Sequence, residues 1–474
     1  MMTGKHQHFI FVLMLFLTTK IFAIGIPDDL AQQIAHIPLN KHNYSIHIQA
    51  TNSSNPIASW RTHVKRSPAS VIKLFTTYSA LLDLGFDYRW ETKFLYTGTI
   101  RNGVLKGDLY VKASGDPTLA TEHIYDIASQ VRAAGITKIQ GNIIIDRTLF
   151  QVTSKNNSGF DKNVYSPYNA MPDAIMFNKR KSTFCITPHG KRAKVVKDVP
   201  DKSYKIINKL KMVNGSCRRG RSWPRVSIKT NSSSRSTIFL TGKLSKRCGK
   251  RTICKVVSMP HRAFYYALRN GLKNVGVHMT GILKLKKVPR KAKYLFSHYS
   301  ESLETVISTI AKKSDNLMAR QLMLTLGSKH YAAPSTTYKS RKAIEGILNR
   351  YNILEKGKTF IANGSGLSRS AKLTAKSLAN LLHHGSKNYG QRWMNTLSIA
   401  GIDGTIRRRF AHSSVYGRAW MKTGTIKSVK NIAGYVEGAS GQLYVVVVLV
   451  NDKYSRKYGA KLANSVIEWV ASSL

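Results

Sequence analysis

Three short strings stand in this chain in one order: Ser70-Val71-Ile72-Lys73, then Ser314-Asp315-Asn316, then Lys422-Thr423-Gly424. A serine hydroxyl is a weak nucleophile at neutral pH and needs a base within hydrogen-bond reach. Lys73, one helical turn beyond Ser70, falls on the same helix face. A free lysine has a pKa of about 10.4, and burial beside a second cation lowers it toward that of a base. Lys422 is the candidate second cation. Ser314 and Asn316, two apart on irregular backbone, reach one cavity as a proton relay and a substrate amide contact, with Asp315 turned elsewhere. Lys422 on an edge strand suits a substrate carboxylate, Thr423 adds a hydrogen bond to it, and Gly424 removes a Cβ that would intrude on the cleft. The backbone N–H groups of Thr425 and Ser70 complete an oxyanion hole, in which one donor is worth roughly 3–4 kcal/mol. Each string alone has a plainer reading: a chance S-x-x-K in a lysine-rich chain, a capping turn for S-D-N, a simple turn for K-T-G. In this order they spell out a nucleophile, a relay and an anion clamp for serine acyl transfer.

The surrounding pattern supplies elements to hold these groups. Val71, Leu74, Phe75, Tyr78, Leu81 and Leu82 carry helical spacing that stops at Gly85, which puts Ser70 at a helix start. Leu303 to Ala311 and Leu317 to Leu326 are two helical runs that meet at Ser314, and further helices are predicted at 338–351, 372–385 and 391–399. Lys422–Thr425, Ile432–Val436 and Leu443–Val450 read as adjacent antiparallel strands, with a closing helix from Ala460 to Trp469. Tyr44–Ala50 and Ile57–Arg61 read as an N-terminal hairpin. The expected result is a sheet whose edges are the chain termini. Between about Lys93 and Pro289 the character changes to short β-like segments, including Ile136–Ile145, with one helical stretch from Thr121 to Ala134. The predicted organisation is therefore a signal segment over 1–23, a first catalytic half over 24–92, a β-rich insertion of one or two small domains over 93–289, and a second catalytic half over 290–474. The fold class is α/β (α+β).

Bulk composition narrows the setting. Lys5, the nine-residue apolar run Phe9–Leu17 and Ile21-Phe22-Ala23 resemble an export signal cut after Ala23. Nine residues are too few to span a bilayer, which takes about 20, and no later run reaches that length. Cys185, Cys217, Cys248 and Cys254 are an even set in an exported chain, allowing up to two disulfides in any of three pairings. None of their spacings is C-x-x-C, which argues against a metal. The formal net charge of +52 favours polyanions. In a cytoplasmic protein that points to nucleic acid, but export redirects it to wall peptides, wall polymers and lipid head groups, with no specific nucleic-acid partner.

With Pro68-Ala69-Ser70, Gly107-Asp108-Leu109, Gly115-Asp116-Pro117-Thr118-Leu119, Asn363-Gly364-Ser365-Gly366-Leu367-Ser368-Arg369 and Asp403-Gly404-Thr405 added to the three strings, the chain resembles the D-alanyl-D-alanine carboxypeptidase/endopeptidase family, the low-molecular-mass class C penicillin-binding proteins. The likeness runs nearly end to end, and the long interval between Ser70 and Ser314 is similar to that family's insertion. It implies a penicillin-recognising serine transferase domain, an antiparallel sheet with helices on both faces, split by the insert. It further implies a periplasmic serine D,D-peptidase acting on peptidoglycan stem peptides, acylated at Ser70 and inhibited by β-lactams, without cofactor or metal. Lys73 is then the base, Ser314 and Asn316 complete the site, Lys422, Thr423, Gly424 and Thr425 bind substrate, and Arg369 lines the pocket mouth. Asn363 stands where the family usually has Asp, and Tyr168–Asn178 matches its substrate-side segment only loosely.

Two other readings compete. Glu345-Gly346-Ile347-Leu348-Asn349 matches the E-x-x-L-N string of class A β-lactamases, but Ala343, Ile344, Ile347, Leu348 and Tyr351 give a helix on which Glu345 faces outward, and the insertion is too long for that fold. A non-catalytic, cationic wall-binding protein requires a defect that the intact motifs do not display.

Overall fold

The computed structural model describes residues 25–151, 157–218, 221–231 and 235–474. The expected export signal lies outside them. The sheet that carries the site has six antiparallel strands in the order Pro56–Trp60, Tyr44–Ala50, Leu443–Val450, Val429–Glu437, Ala419–Ile426, Ser398–Ile399. Leu443–Val450 is an almost unbroken apolar run because both of its faces are covered. Val445, Val447 and Leu449 pack on the helical side with Leu74, Phe75 and Leu378. Val446, Val448 and Val450 pack with Leu30, Leu462 and Val466 of the helices Asp28–Ala35 and Ser455–Ser473.

The first and last strands do not form the edges. Tyr44–Ala50 pairs along its whole length with Leu443–Val450 in the middle of the sheet. Burying a two-sided apolar strand requires neighbours on both sides, so the termini meet centrally and the edges fall to Pro56–Trp60 and Ser398–Ile399. The run 391–399 is helical only as far as Met394: Gly390, with φ 51° and ψ −137°, breaks Ala375–Met394 into two helical stretches, and Ser398–Ile399 extends the sheet beside Trp420 and Met421.

Beyond Trp90 the chain builds two further cores. One lies between a five-stranded sheet, a four-stranded sheet and the helices Ile124–Ala133 and Pro260–Asn274. The five-stranded sheet takes both Glu91–Tyr96 and Lys293–Tyr299, which pair with each other, so this body begins and ends at adjacent strands. The segment Ile136–Ile145 is two strands in different sheets, Lys138–Ile139 and Ile143–Asp146. Gly141 at the crossing lies so near Gly107 that a Cβ would sit 2.1 Å from its carbonyl oxygen. The other core, around Phe184, Ile238 and Leu240, is nested in sequence between the elements of the first. Here Cys217 and Cys248 form a disulfide, while Cys185 and Cys254 are free. Among the described residues no group of His, Cys, Asp and Glu is placed to hold a metal ion, and no helix is long and apolar enough to cross a membrane.

Candidate active site

Ser70 lies in the single 3-10 turn Ala69–Ile72 that leads into the helix Lys73–Leu84. This turn is wedged between three backbones. Asn431 donates from Nδ2 to the carbonyls of Ser67 and Pro68, both at 2.9 Å, and accepts from Val450 N at 2.9 Å, tying the turn to the central strands. Gly366, with φ of 77°, lies where a Cβ would be 1.9 Å from the Ala69 carbonyl oxygen. Gly424 packs from the strand side, where a Cβ would be 2.7 Å from Pro68 O and 2.9 Å from Ser70 N. Gly424 thus admits the Ser70 turn against the strand, a close approach that motif reading did not anticipate.

Lys73 is completely buried. Its Nζ is 2.9 Å from Ser70 Oγ, 2.7 Å from Asn316 Oδ1 and 2.5 Å from the Ser365 carbonyl oxygen. A neutral amine has two hydrogens and one lone pair; the amide and carbonyl oxygens accept the two hydrogens, which leaves the lone pair for the Ser70 hydroxyl. The electrostatics agree. Burial holds the Lys73 amine well below the ordinary lysine value, and the neighbouring charges of Lys422 and Arg320 push the same way against Asp315. Asn316 is thus positioned as a direct partner of the base. Ser365, inside the Asn363–Arg369 string, supplies a carbonyl that motif reading did not single out. Asn363 shapes this loop by accepting from Ser365 N at 3.1 Å and Ser365 Oγ at 2.9 Å.

Ser314 terminates the helix Leu303–Lys313 in a left-handed conformation, φ 54°. Asp315 then caps the helix Asn316–His330, accepting from Leu317 N and Met318 N, both at 3.0 Å. The capping reading of S-D-N is realised, and the same sharp helix boundary turns Ser314 toward Lys422 and Asn316 toward Lys73.

Lys422 lies fully buried on the strand Ala419–Ile426, donating to Ser314 Oγ at 3.2 Å and to the Thr423 carbonyl at 2.8 Å. Burial brings its amine down to about 7. It stands behind Ser314, and the open cleft of about 350 Å³ is lined by the hydroxyls of Ser70, Ser314, Thr405, Thr423 and Thr425. Thr423 Oγ1 and Thr405 Oγ1 are 2.8 Å apart. Thr405 was recognisable only as part of the string Asp403-Gly404-Thr405. Arg409 and Lys430, which also line the cleft, were not among the residues expected at the site. Arg369 does not line it; exposed, its guanidinium lies 5.3 Å from the centre of the Phe160 ring. Glu345 is half-buried on the helix Thr337–Arg350 and is not among the lining residues of the Ser70 cleft.

A buried lysine on a serine hydroxyl, inside an antiparallel sheet flanked by helices, defines a penicillin-recognising type of serine hydrolase. The sequence pattern of the D-Ala-D-Ala carboxypeptidase 3 (S13) family matches residues 27–473, and the chain belongs to that family. It is 25% identical over 405 residues to the D-alanyl-D-alanine carboxypeptidase DacB of Haemophilus influenzae, covering 84% of this chain and 83% of that protein. It is 27% identical over 399 residues to the D-alanyl-D-alanine carboxypeptidase of Actinomadura sp. strain R39, covering 80% of this chain and 72% of that one. In fold it is similar to penicillin binding protein 4 (dacB) of H. influenzae, with TM-score 0.76, 24% identity and coverage of 93% and 98% of the two chains. It is less similar to Bd3459, a predatory peptidoglycan endopeptidase of Bdellovibrio bacteriovorus, with TM-score 0.52, 17% identity and coverage of 90% and 92%.

Proposed function

We propose that this chain is an exported, periplasmic serine D,D-peptidase that hydrolyses the D-Ala-D-Ala bond of peptidoglycan stem peptides through an acyl-enzyme on Ser70. The observation that carries the reading is the Lys73 amine, buried, its proton affinity lowered by that burial, and 2.9 Å from Ser70 Oγ. Lys73 takes the hydroxyl proton as Oγ attacks the carbonyl of the penultimate D-alanine. The resulting oxyanion lies against the N–H groups of Ser70 and Thr425. Ser314, hydrogen-bonded to Lys422, relays a proton to the departing amine, and the C–N bond breaks to release the terminal D-amino acid. Water then attacks the ester by the reverse proton path and restores Ser70. Thr423, Thr405 and the Lys422 charge orient the terminal carboxylate, which selects D-amino-acid carboxy termini and the matching carboxylate of penicillins.

Among the described residues no glutamate lines the Ser70 cleft to activate a deacylating water, so a penicilloyl ester at Ser70 is long-lived. Export rests on the signal-like residues 1–23. Incubation with isolated wall fragments followed by mass spectrometry tests the reading: the native protein releases D-alanine or splits cross-linked dimers, and Ser70→Ala does neither. Undiminished release by Ser70→Ala refutes it, as does rapid turnover of labelled penicillin.

A further inference from the structure

A second concavity, larger than the Ser70 cleft, lies away from it. A groove of about 1070 Å³ runs along the seam where the five-stranded sheet meets the end of the helix Asn316–His330, and it shares no lining residue with the active site. Its volume lies at the top of the roughly 300–1,000 Å³ range of small-ligand sites, enough for several linked rings. Six cationic side chains but only two acidic ones face it.

Both acids are committed. Asp146 accepts from Thr148 N and Oγ1 at 2.9 and 2.7 Å and from Val288 N at 2.9 Å, which pins the loop carrying Lys287 and Arg290. Glu91 accepts from Ser297 at 2.7 Å and pairs with Lys93 at 3.2 Å. By contrast, Lys112, Lys287 and Arg290 are exposed, and among the described residues none has a carboxylate within ion-pair distance. Tyr299 adds a ring that is 56% exposed at the same wall. Three unneutralised cations around an open aromatic face and a floor of prolines and hydroxyls match a chain of sugar rings bearing carboxylates: the ring stacks on the apolar side of a pyranose, and the cations take the charges.

We infer that this groove is a second binding site, for a carboxylate-bearing glycan. The choice of glycan rests on the function proposed above, because the stem peptides hang from a strand of such rings, whose carboxylates are bare wherever a peptide has been removed; the anion-and-ring chemistry does not. A second site on the strand would hold the enzyme on polymeric wall while the Ser70 cleft samples peptides.

The test uses the mature full-length chain and a peptide-free N-acetylglucosamine–N-acetylmuramic acid tetrasaccharide, titrated by calorimetry at low ionic strength. Chitotetraose, which has the rings but no carboxylate, and inorganic phosphate are the comparison probes. The native protein and Ser70→Ala are expected to bind the acidic tetrasaccharide equally, with chitotetraose at least tenfold weaker. The triple variant Lys112→Ala, Lys287→Ala, Arg290→Ala is expected to lose at least tenfold, and Tyr299→Ala severalfold, while both still acylate Ser70 with labelled penicillin, which shows that they are folded. Should the triple variant fail to acylate, the single exchanges Lys112→Gln and Lys287→Gln serve, each expected to weaken binding two- to fivefold. Equal binding by the variants, equal binding of chitotetraose, or displacement of the tetrasaccharide by equimolar phosphate would overturn the assignment. Native protein that binds the tetrasaccharide but neither releases D-alanine nor splits cross-linked dimers would strike the catalytic reading alone.

Discussion

Gly424→Ala isolates the seam on which acylation depends. The backbone at Gly424 is ordinary strand, so an alanine there meets no conformational penalty, only space. Its Cβ would lie 2.7 Å from Pro68 O, 2.9 Å from Ser70 N and 3.0 Å from Val71 N, all backbone atoms, where ordinary contact begins at 3.4 Å. The strand and the Ser70 turn must therefore separate by about 0.7 Å at the closest pair, and that seam carries both proposed oxyanion donors. A misplacement of about 1 Å can cost ~100-fold in rate, and loss of one oxyanion donor costs ~100- to 1,000-fold. We expect the second-order rate of Ser70 acylation by a fluorescent penicillin to fall by ~30–100-fold. Overpacking of this kind costs only about 1–3 kcal/mol, so the melting temperature should drop by a few degrees. Thr425→Ala, which keeps the backbone N–H, is the control and should remain within a few-fold of native. Acylation of Gly424→Ala within threefold of native, with an unchanged melting temperature, would refute the geometry.

Other outcomes follow from the same structure. Acylation requires neutral Lys73, whose proton affinity is depressed, so its rate should decline as pH falls through that depressed value and not near 10.5; a pH profile of penicillin acylation checks this. Lys422 titrates at about 7 when folded against 10.5 when unfolded, so across that window the unfolded chain binds a proton the native chain lacks, and stability should rise with pH. Below about 7 both states are charged and the burial cost stands in full, so Lys422→Met should raise the melting temperature more at pH 6 than at pH 9 while abolishing acylation. Asp315→Ala removes the acceptor for Leu317 N and Met318 N and the partner of Lys179 at 3.6 Å. It should destabilise by about 1 kcal/mol in denaturant unfolding and slow acylation by releasing the turn that aims Ser314 and Asn316. Cys217→Ser opens a link across 31 residues of the inserted region, which should cost about 3–4 kcal/mol locally yet leave penicillin acylation near native, as limited proteolysis and labelling together will report.

Much of this protein was legible in local pattern. The Ser70–Lys73 spacing is set by one helical turn, and the breaks in helical periodicity at Ser314 and Gly85 mark real boundaries. The strand character of Ala419–Ile426 also follows from neighbouring side chains alone. Residue type similarly declared that Lys73, Ser314, Asn316 and Lys422 form one constellation, since no other common chemistry needs all of them in order. What remained hidden depends on distance through space. Ser365 enters the site by a carbonyl, which every residue possesses, so no side chain announced it. Asn431 and Thr405 become meaningful only once the Ser70 turn is docked on the sheet. Whether Lys422 touches the ligand or stands behind Ser314 is decided by which face of a strand is covered, and that is set by the helices packed on it. The pairing of Cys217 with Cys248, and the meeting of the first and last strands at the centre of the sheet, are likewise consequences of packing between segments far apart in sequence. Periodicity fixes which face of an element is apolar; only burial of those faces against one another selects their partners.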